Sequence, residues 1–179
     1  MKKCASKGFA ALIAVLAVLA FIIAMQTSEF QVTRTATIAA PPAKLFPLVN
    51  DLRKWESWSP WAKLDPNAKH SFEGPRAGKG AIMHWDGNMQ VGKGSMTITE
   101  SRPSSAIKFQ LDFTKPLKGT STAEFTFKPE GKNTAVTWSM QGKKDFLAKA
   151  ISLISSCEKM VGGQFEKGLA NLKAIAEKR

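Results

Sequence analysis

Apolar and polar side chains alternate through much of the segment between residues 68 and 141, and this pattern limits the possible folds more than any other. In the stretch 106–114 every second side chain is large and apolar, at Ile107, Phe109, Leu111 and Phe113. Such alternation predicts a strand with one buried face. Six segments separated by short turns are predicted strands: 68–74, 80–86, 91–101, 106–114, 121–129 and 134–141. The short turns predict an antiparallel sheet with one covered face.

A further strand and two short helices are predicted ahead of these six segments. The stretch 30–39 alternates and is rich in Thr and Val, which is typical of a strand. Prolines follow it, and Pro42 is well placed in the first turn of a helix over 42–51. Asp51 can cap a second short helix over 52–58.

Three of the five tryptophans lie in the segment 54–66. Trp55 and Trp58 are three residues apart in the second predicted helix and can share a face. Trp61 follows Pro60 and is expected in the exit turn. We expect the three rings to form a packing plug at one end of the sheet, with one of them open to a cavity mouth. A position at a membrane interface is the alternative.

The last 35 or so residues predict a long amphipathic helix. Apolar residues recur there at intervals of three or four: Ile154, Cys157, Val161, Phe165, Leu169, Leu172 and Ile175. The pair Gly162–Gly163 predicts either a kink or a close approach to the sheet, because glycine weakens a helix. The sequence therefore predicts an α+β fold, in which one long helix lies across a curved antiparallel sheet of about seven strands. Apolar residues that this helix does not cover would line a cavity.

The element order and four landmark segments resemble the START-like helix-grip (SRPBCC) superfamily, in particular its polyketide cyclase/dehydrase and lipid-transport branch. The landmarks are IAAPPAKLFPLVNDLRKWESWSPW, GPRAGKGAIMHWDGN, VGKGSMTITES and MVGGQFEKGLANLK, and the resemblance covers roughly residues 30–178. It implies a β-α-α-β6-α grip around a deep apolar cavity. It also implies binding of lipids, polyketides or other hydrophobic molecules, without implying one chemistry.

Residues 9–25 are all apolar, which predicts a membrane-spanning helix. The run is longer than the apolar core of a cleaved signal peptide, so residues 1–28 are expected to be an uncleaved signal anchor and 29–179 the domain. Lysines precede the run, so the positive-inside rule places the N-terminus in the cytoplasm. The expected localisation is single-pass in a bacterial inner membrane, with the domain periplasmic. The alternative is secretion to the periplasm after signal cleavage.

The charge balance predicts contact with an anionic surface. The chain has 26 Lys and Arg against 14 Asp and Glu, a formal net charge of +12. The basic residues are scattered and no nucleic-acid recognition motif is present, so an anionic membrane surface is the expected partner and nucleic acid is not. No Cys/His cluster has metal-ligand spacing, and neither a metal nor a cofactor is expected.

Nine apolar side chains are the candidates for lining a ligand cavity. Aromatic and methionine side chains suit an adaptable apolar pocket. The candidates are Trp85, Met96, Phe109, Phe113, Phe125, Trp138, Met140, Met160 and Phe165. Taken singly, each fits an ordinary core position better than a ligand contact, and the set as a whole favours a cavity.

Three polar residues are the weak candidates for catalysis. His84 and Asp86 lie two apart on one strand face and could act as a general base and its orienter. Glu100 could anchor a ligand inside the cavity, or simply pair with a lysine. No Ser or Cys is recognisably placed as a nucleophile.

The favoured function is a membrane-anchored domain that binds a hydrophobic small molecule or lipid without chemistry. The alternatives are an enzyme of the cyclase or hydrolase kind acting on an apolar substrate, and a structural domain whose cavity is filled by its own side chains.

Overall fold

Seven strands form one antiparallel sheet in the computed structural model, which describes residues 2–153 and 157–178, with side chains for 12–153 and 158–178. The strands are β1 (Glu29–Ile38), β2 (Lys69–Glu73), β3 (Ile82–Asp86), β4 (Lys93–Arg102), β5 (Ala106–Lys115), β6 (Gly119–Glu130) and β7 (Asn133–Lys143). They lie in the order β1-β7-β6-β5-β4-β3-β2. The predicted number, order and approximate bounds of the strands are confirmed.

In the described part of the chain, five α-helices and one 3₁₀ helix accompany the sheet. They are α1 (Lys2–Met25), α2 (Pro42–Asn50), the 3₁₀ helix (Leu52–Ser57), α3 (Pro60–Leu64), α4 (Phe146–Ser152) and α5 (Cys157–Ala176). The helix α5 packs chiefly on β1, with further contacts to α2, α3 and β7. We call the face of the sheet toward α5 and the 3₁₀ helix the concave face, and its opposite the convex face. This arrangement fits the predicted helix-grip fold.

Two hairpin turns and one junction lie at the same end of the sheet, which we call the open end. Lys93 pairs with Lys115, so the turns 87–92 and 115–118 are neighbours. Glu29 pairs with Lys143, which brings the junction from β7 to α4 to the same end. The turns 103–105 and 131–132 lie at the opposite, far end.

The tryptophan plug is confirmed for Trp55 and Trp58, both of which are buried. The indole N–H of Trp55 donates to the carbonyl of Val49 at 2.8 Å, and that of Trp58 donates to Leu48 at 3.0 Å. These carbonyls belong to the last turn of α2, where a helix lacks its own donors. Trp61 lies on α3 rather than in an exit turn, so that prediction is wrong.

The pair Gly162–Gly163 lies within the single helix α5, where Gly162 allows a close approach to β1. A Cβ on Gly162 would fall on the guanidinium of Arg34. The Nε of Arg34 donates to Glu166 at 2.5 Å, and its Nη2 donates to Glu158 at 2.6 Å. These hydrogen bonds to the carboxylates of Glu166 and Glu158 raise the pKa of Arg34. The close approach to the sheet is therefore confirmed for Gly162, and it ties β1 to α5.

The C-terminal segment contains two helices, α4 and α5, where the sequence predicts one long helix. Residues 154–156 lie outside the described part of the chain. Ile154 and the side chain of Cys157, with which the predicted apolar stripe begins, therefore also lie outside it. Within the rest of the stripe, the predicted burial is confirmed for Phe165, Leu169 and Leu172.

The prediction of a transmembrane helix is corrected by the structure. Of the helices in the described part of the chain, none has both the length and the apolarity needed to cross a membrane. The transmembrane helix and the single-pass inner-membrane localisation are therefore wrong.

Candidate functional site

One half of the concave face is filled by aromatic rings. Trp138 stacks on Phe165 with centroids 3.9 Å apart, and it also contacts Phe125 at 4.6 Å. Trp55 lies edge-on to Phe109 at 5.5 Å and to Phe125 at 5.9 Å. Four of the predicted cavity residues, Phe109, Phe125, Trp138 and Phe165, therefore form the core beneath the plug.

The other half of the concave face, toward the open end, carries two cross-strand rows of apolar side chains. Met83, Met96 and Leu111 are paired neighbours across β3, β4 and β5. Trp85 and Phe113 flank Gly94 in the adjacent row. We call these five side chains the concave strip. Met83, Leu111 and Phe113 remain half-exposed, whereas Met96 and Trp85 are buried.

The ring of Trp85 is held in the concave strip by close packing. It lies over Gly94, where an added Cβ would come within 2.7 Å of its Cζ2 atom. Its ring is edge-on to Phe113 at a centroid distance of 5.7 Å. Its indole N–H donates to the carbonyl of Val91 at 3.3 Å. Only a glycine at position 94 leaves room for this ring, so the strip has a fixed aromatic floor.

The remaining two predicted cavity residues lie elsewhere. Met140 is buried between its strand neighbours Val32 and Ala123. Met160 is 47% exposed on α5. The sequence analysis missed Met83 and Leu111, although both belong to apolar alternations that were visible, with Trp85 and with Phe113.

His84 and Asp86 lie on the convex face, opposite Trp85. They line a groove of about 390 Å³ together with Ser71, Ser95 and Asp112, among others. Ser71, His84, Ser95 and Asp112 are consecutive partners across β2, β3, β4 and β5. Most residues that line the groove are polar or charged, and Trp85 of the concave strip also contributes to its lining.

The two residues predicted as a base and its orienter have different partners. The Nε2 of His84 lies 3.3 Å from the Oε1 of Glu73 but makes no hydrogen bond. Asp86 accepts a hydrogen bond of 2.6 Å from the Nζ of Lys93. This hydrogen bond, together with the positive charges of nearby lysines, lowers the pKa of Asp86. Asp86 therefore orients Lys93 rather than His84.

Glu100 is engaged by basic side chains. Lys108 donates to its Oε1 at 3.2 Å, and Arg102 lies 3.6 Å from its Oε2. This is the lysine pairing that the sequence analysis gave as the alternative to a ligand anchor.

A metal centre finds no support in the described residues, where no group of three or more His, Cys, Asp or Glu side chains could hold an ion.

The fold resembles several solved structures. A protein from Chromobacterium violaceum matches with a TM-score of 0.61 and 17% identity, over 83% of this chain and 98% of its own. The Aha1 dimer from Colwellia psychrerythraea matches with a TM-score of 0.60 and 14% identity, over 83% and 96%. The di-domain ARO/CYC protein BexL from the BE-7585A biosynthetic pathway matches with a TM-score of 0.62 and 15% identity, over 99% and 60%. At such identities the likeness concerns the fold alone.

No curated protein matches the sequence. The family described as polyketide cyclase/dehydrase and lipid transport matches residues 29–177, which is most of the chain. The chain therefore belongs to the polyketide cyclase/dehydrase and lipid transport family, whose domains bind hydrophobic small molecules.

Proposed function

We propose that this chain binds a hydrophobic small molecule, with lipids as one class, on the concave strip and without catalysing a reaction. The observation that carries the proposal is the half-exposed state of Met83, Leu111 and Phe113 on the face that a helix-grip domain otherwise covers. These three side chains pack against the core cluster on one side, whereas the main contacts of α5 with the sheet are to β1 and β7. An apolar ligand would complete this part of the core.

Apolar burial would supply the affinity. Each Å² of apolar surface removed from water contributes about 25 cal/mol, so burying ~200 Å² contributes about 5 kcal/mol before the costs of association. Met83 and Met96 can adapt to ligands of different shape, because methionine is flexible and polarisable. The strip therefore favours a class of apolar molecules over one rigid shape.

A binding role is favoured over catalysis by the position of the ionisable groups. None of the five side chains of the concave strip is ionisable. The nearest such group in the same cross-strand row is His70, which is exposed on the edge strand β2. A cyclase or hydrolase would have to use the convex groove, where His84 and Asp86 have separate partners. General base catalysis needs a base held by an orienting group.

The test uses the methionine methyl groups of the full chain as NMR reporters. The chain is labelled at its seven methionines and titrated with N-phenyl-1-naphthylamine, a neutral apolar probe. We expect saturable shifts at Met83 and Met96, and little change at Met89 and Met160. Shifts confined to Met25 or to the exposed methionines would overturn the proposal.

Two variants sharpen the titration. Leu111→Asn should weaken probe binding about tenfold or more, because one apolar wall of the strip becomes polar. The matched control Gln110→Asn changes the neighbouring residue on the opposite face and should leave binding unchanged. Equal loss in both variants would point to general destabilisation instead of a site. Extraction of a co-purifying apolar molecule, followed by mass spectrometry, would then identify the ligand class.

A further inference from the structure

The open end of the sheet presents large apolar side chains to solvent. Phe146 and Leu147 on α4 are 56% and 55% exposed, and Met89 in the turn 87–92 is 79% exposed. Ile151 on α4 and Leu153 directly after it are also exposed. Exposed apolar clusters of this kind mark interaction surfaces.

Lysines surround these apolar tips. Five lie in the turn 115–118, at the end of β7 and on α4: Lys115, Lys118, Lys143, Lys144 and Lys149. The acidic residues at this end are Glu29 at the start of β1, Asp145, and Asp65 and Asp86 beside the turn 87–92. The carboxylate of Asp145 caps α4 by accepting from the backbone N–H of Ala148 at 2.7 Å, and Asp86 pairs with Lys93. The five lysines outnumber these carboxylates, so the open end is cationic as well as apolar.

The apolar tips and the lysines come from separate segments that the sheet register brings to one end. The turn 115–118 adjoins Lys93 through Lys115, and β7 ends beside Glu29. The helix α4 contacts α1, and the Nζ of Lys149 lies 3.3 Å from the carbonyl of Ala24. A surface made of several projecting tips fits a flat, deformable partner better than a groove-shaped one.

We infer that the open end docks on the surface of an anionic phospholipid bilayer. Phe146, Leu147 and Met89 would enter the interface between headgroups and acyl chains, and the lysines would lie among the anionic headgroups. Charge complementarity together with exposed apolar tips selects this partner. A nucleic acid would call for stacking aromatics, and Phe146 is the one aromatic among these tips. The docking needs neither a membrane-spanning segment nor the proposed ligand.

Docking at this end has a consequence for the concave strip. Phe113 pairs with Gly119 at the edge of the turn 115–118, so the strip begins where the docked surface would lie. If the strip holds an apolar ligand, which rests on the proposed function, a docked domain presents it directly to the lipid.

The first experiment measures binding of the full chain to vesicles by co-flotation. Vesicles of phosphatidylcholine alone are compared with vesicles containing one third phosphatidylglycerol. We expect tighter binding to the anionic vesicles and a loss of that preference at high salt. The double variant Lys118→Glu/Lys143→Glu should reduce anionic binding about tenfold or more.

A matched control has the same change in net charge at the other side of the molecule. Lys128→Glu/Lys132→Glu alters the turn at the far end, and both of these lysines are exposed. It should retain most of the binding. Equal losses in the two double variants would show attraction by net charge alone and would overturn the docking surface.

Hydrogen exchange on vesicle-bound protein separates docking of the open end from attachment through α1. We expect slower exchange of amides in the turns 87–92 and 115–118 and in α4, with no change in the far turns 103–105 and 131–132. Protection restricted to α1 would overturn the inference. Phe146→Ser/Leu147→Ser should lower vesicle binding while the circular dichroism spectrum and the probe titration of the concave strip stay unchanged.

Discussion

The indole of Trp138 on β7 stacks on the ring of Phe165 on α5, with centroids 3.9 Å apart and planes 10° apart. This pair joins β7, the second strand from the β1 edge, to the long helix. Trp55 and Trp61 meet the same indole edge-on, at 5.9 and 5.7 Å. The single side chain of Trp138 thus contacts aromatic residues of α5, the 3₁₀ helix and α3.

Replacing Phe165 should test how much this stack stabilises the fold. Phe165→Ala removes a buried ring and leaves a cavity against Trp138, so the free energy of unfolding should fall by about 3–5 kcal/mol. Urea denaturation followed by tryptophan fluorescence measures the change. Met160→Ala on the same helix removes an exposed side chain and should change stability by less than about 0.5 kcal/mol. Similar losses in both variants would contradict the role of the stack.

Two glycines of α5 should respond in opposite ways to alanine. A Cβ on Gly168 would lie 2.8 Å from Cζ3 of Trp138 and 3.2 Å from Cδ of Pro60. Overpacking there costs about 1–3 kcal/mol, which exceeds the gain of up to ~1 kcal/mol in helix propensity. Gly163 has nothing within 4 Å of its added Cβ. Thermal denaturation should show Gly168→Ala destabilised and Gly163→Ala unchanged or stabilised; a stabilised Gly168→Ala would refute the close packing.

The hydrogen bond from Trp55 to Val49 should be measurable as a separate contribution to stability. Trp55→Phe keeps an aromatic ring but removes the donor, which leaves a buried carbonyl unsatisfied at a cost of about 1–3 kcal/mol. Trp61→Phe, on a half-buried ring, should cost less. Chemical denaturation of both variants gives the comparison, and a smaller loss for Trp55→Phe than for Trp61→Phe would argue against this bond.

The pair Asp86–Lys93 should make stability depend on acid pH. The hydrogen bond from Lys93 lowers the folded-state pKa of Asp86 below its usual 3.8. The contribution is therefore fully present above the unfolded pKa of about 3.9 and is lost as the pH falls through the lower folded pKa. A carboxyl ¹³C NMR titration measures the folded pKa directly. Lys93→Gln should raise this pKa, whereas Lys132→Gln at the far end should not.

Much of the sheet could be predicted from the sequence, because period-two alternation reports directly which side chains share a face. Ile107 and Phe109 illustrate this, and both are buried as expected. The helix α3 was missed because Pro60 was interpreted as a break, although proline is well suited to the first position of a helix. A proline in a sequence is compatible both with the end of one helix and with the start of the next, and only the surrounding structure distinguishes the two.

The candidate site was harder to predict, because alternation identifies a face and not what fills the space in front of it. Phe109 and Phe113 belong to one alternating strand, yet Phe109 lies under the plug and Phe113 lies beyond it. That difference depends on where the 3₁₀ helix lies, which is a long-range property. The separation of His84 from Trp85 could have been predicted, since adjacent residues of a strand face opposite sides.

The position of the plug has a consequence for how domains of this architecture can diversify. Residues 52–58 occupy part of the space that the sheet encloses, and they do so through two side chains, Trp55 and Trp58. Shortening those side chains would enlarge the apolar space in front of the concave face without altering a single strand pairing. Substitutions in this one short segment can therefore change the interior volume of such a domain during evolution, while the sheet stays the same.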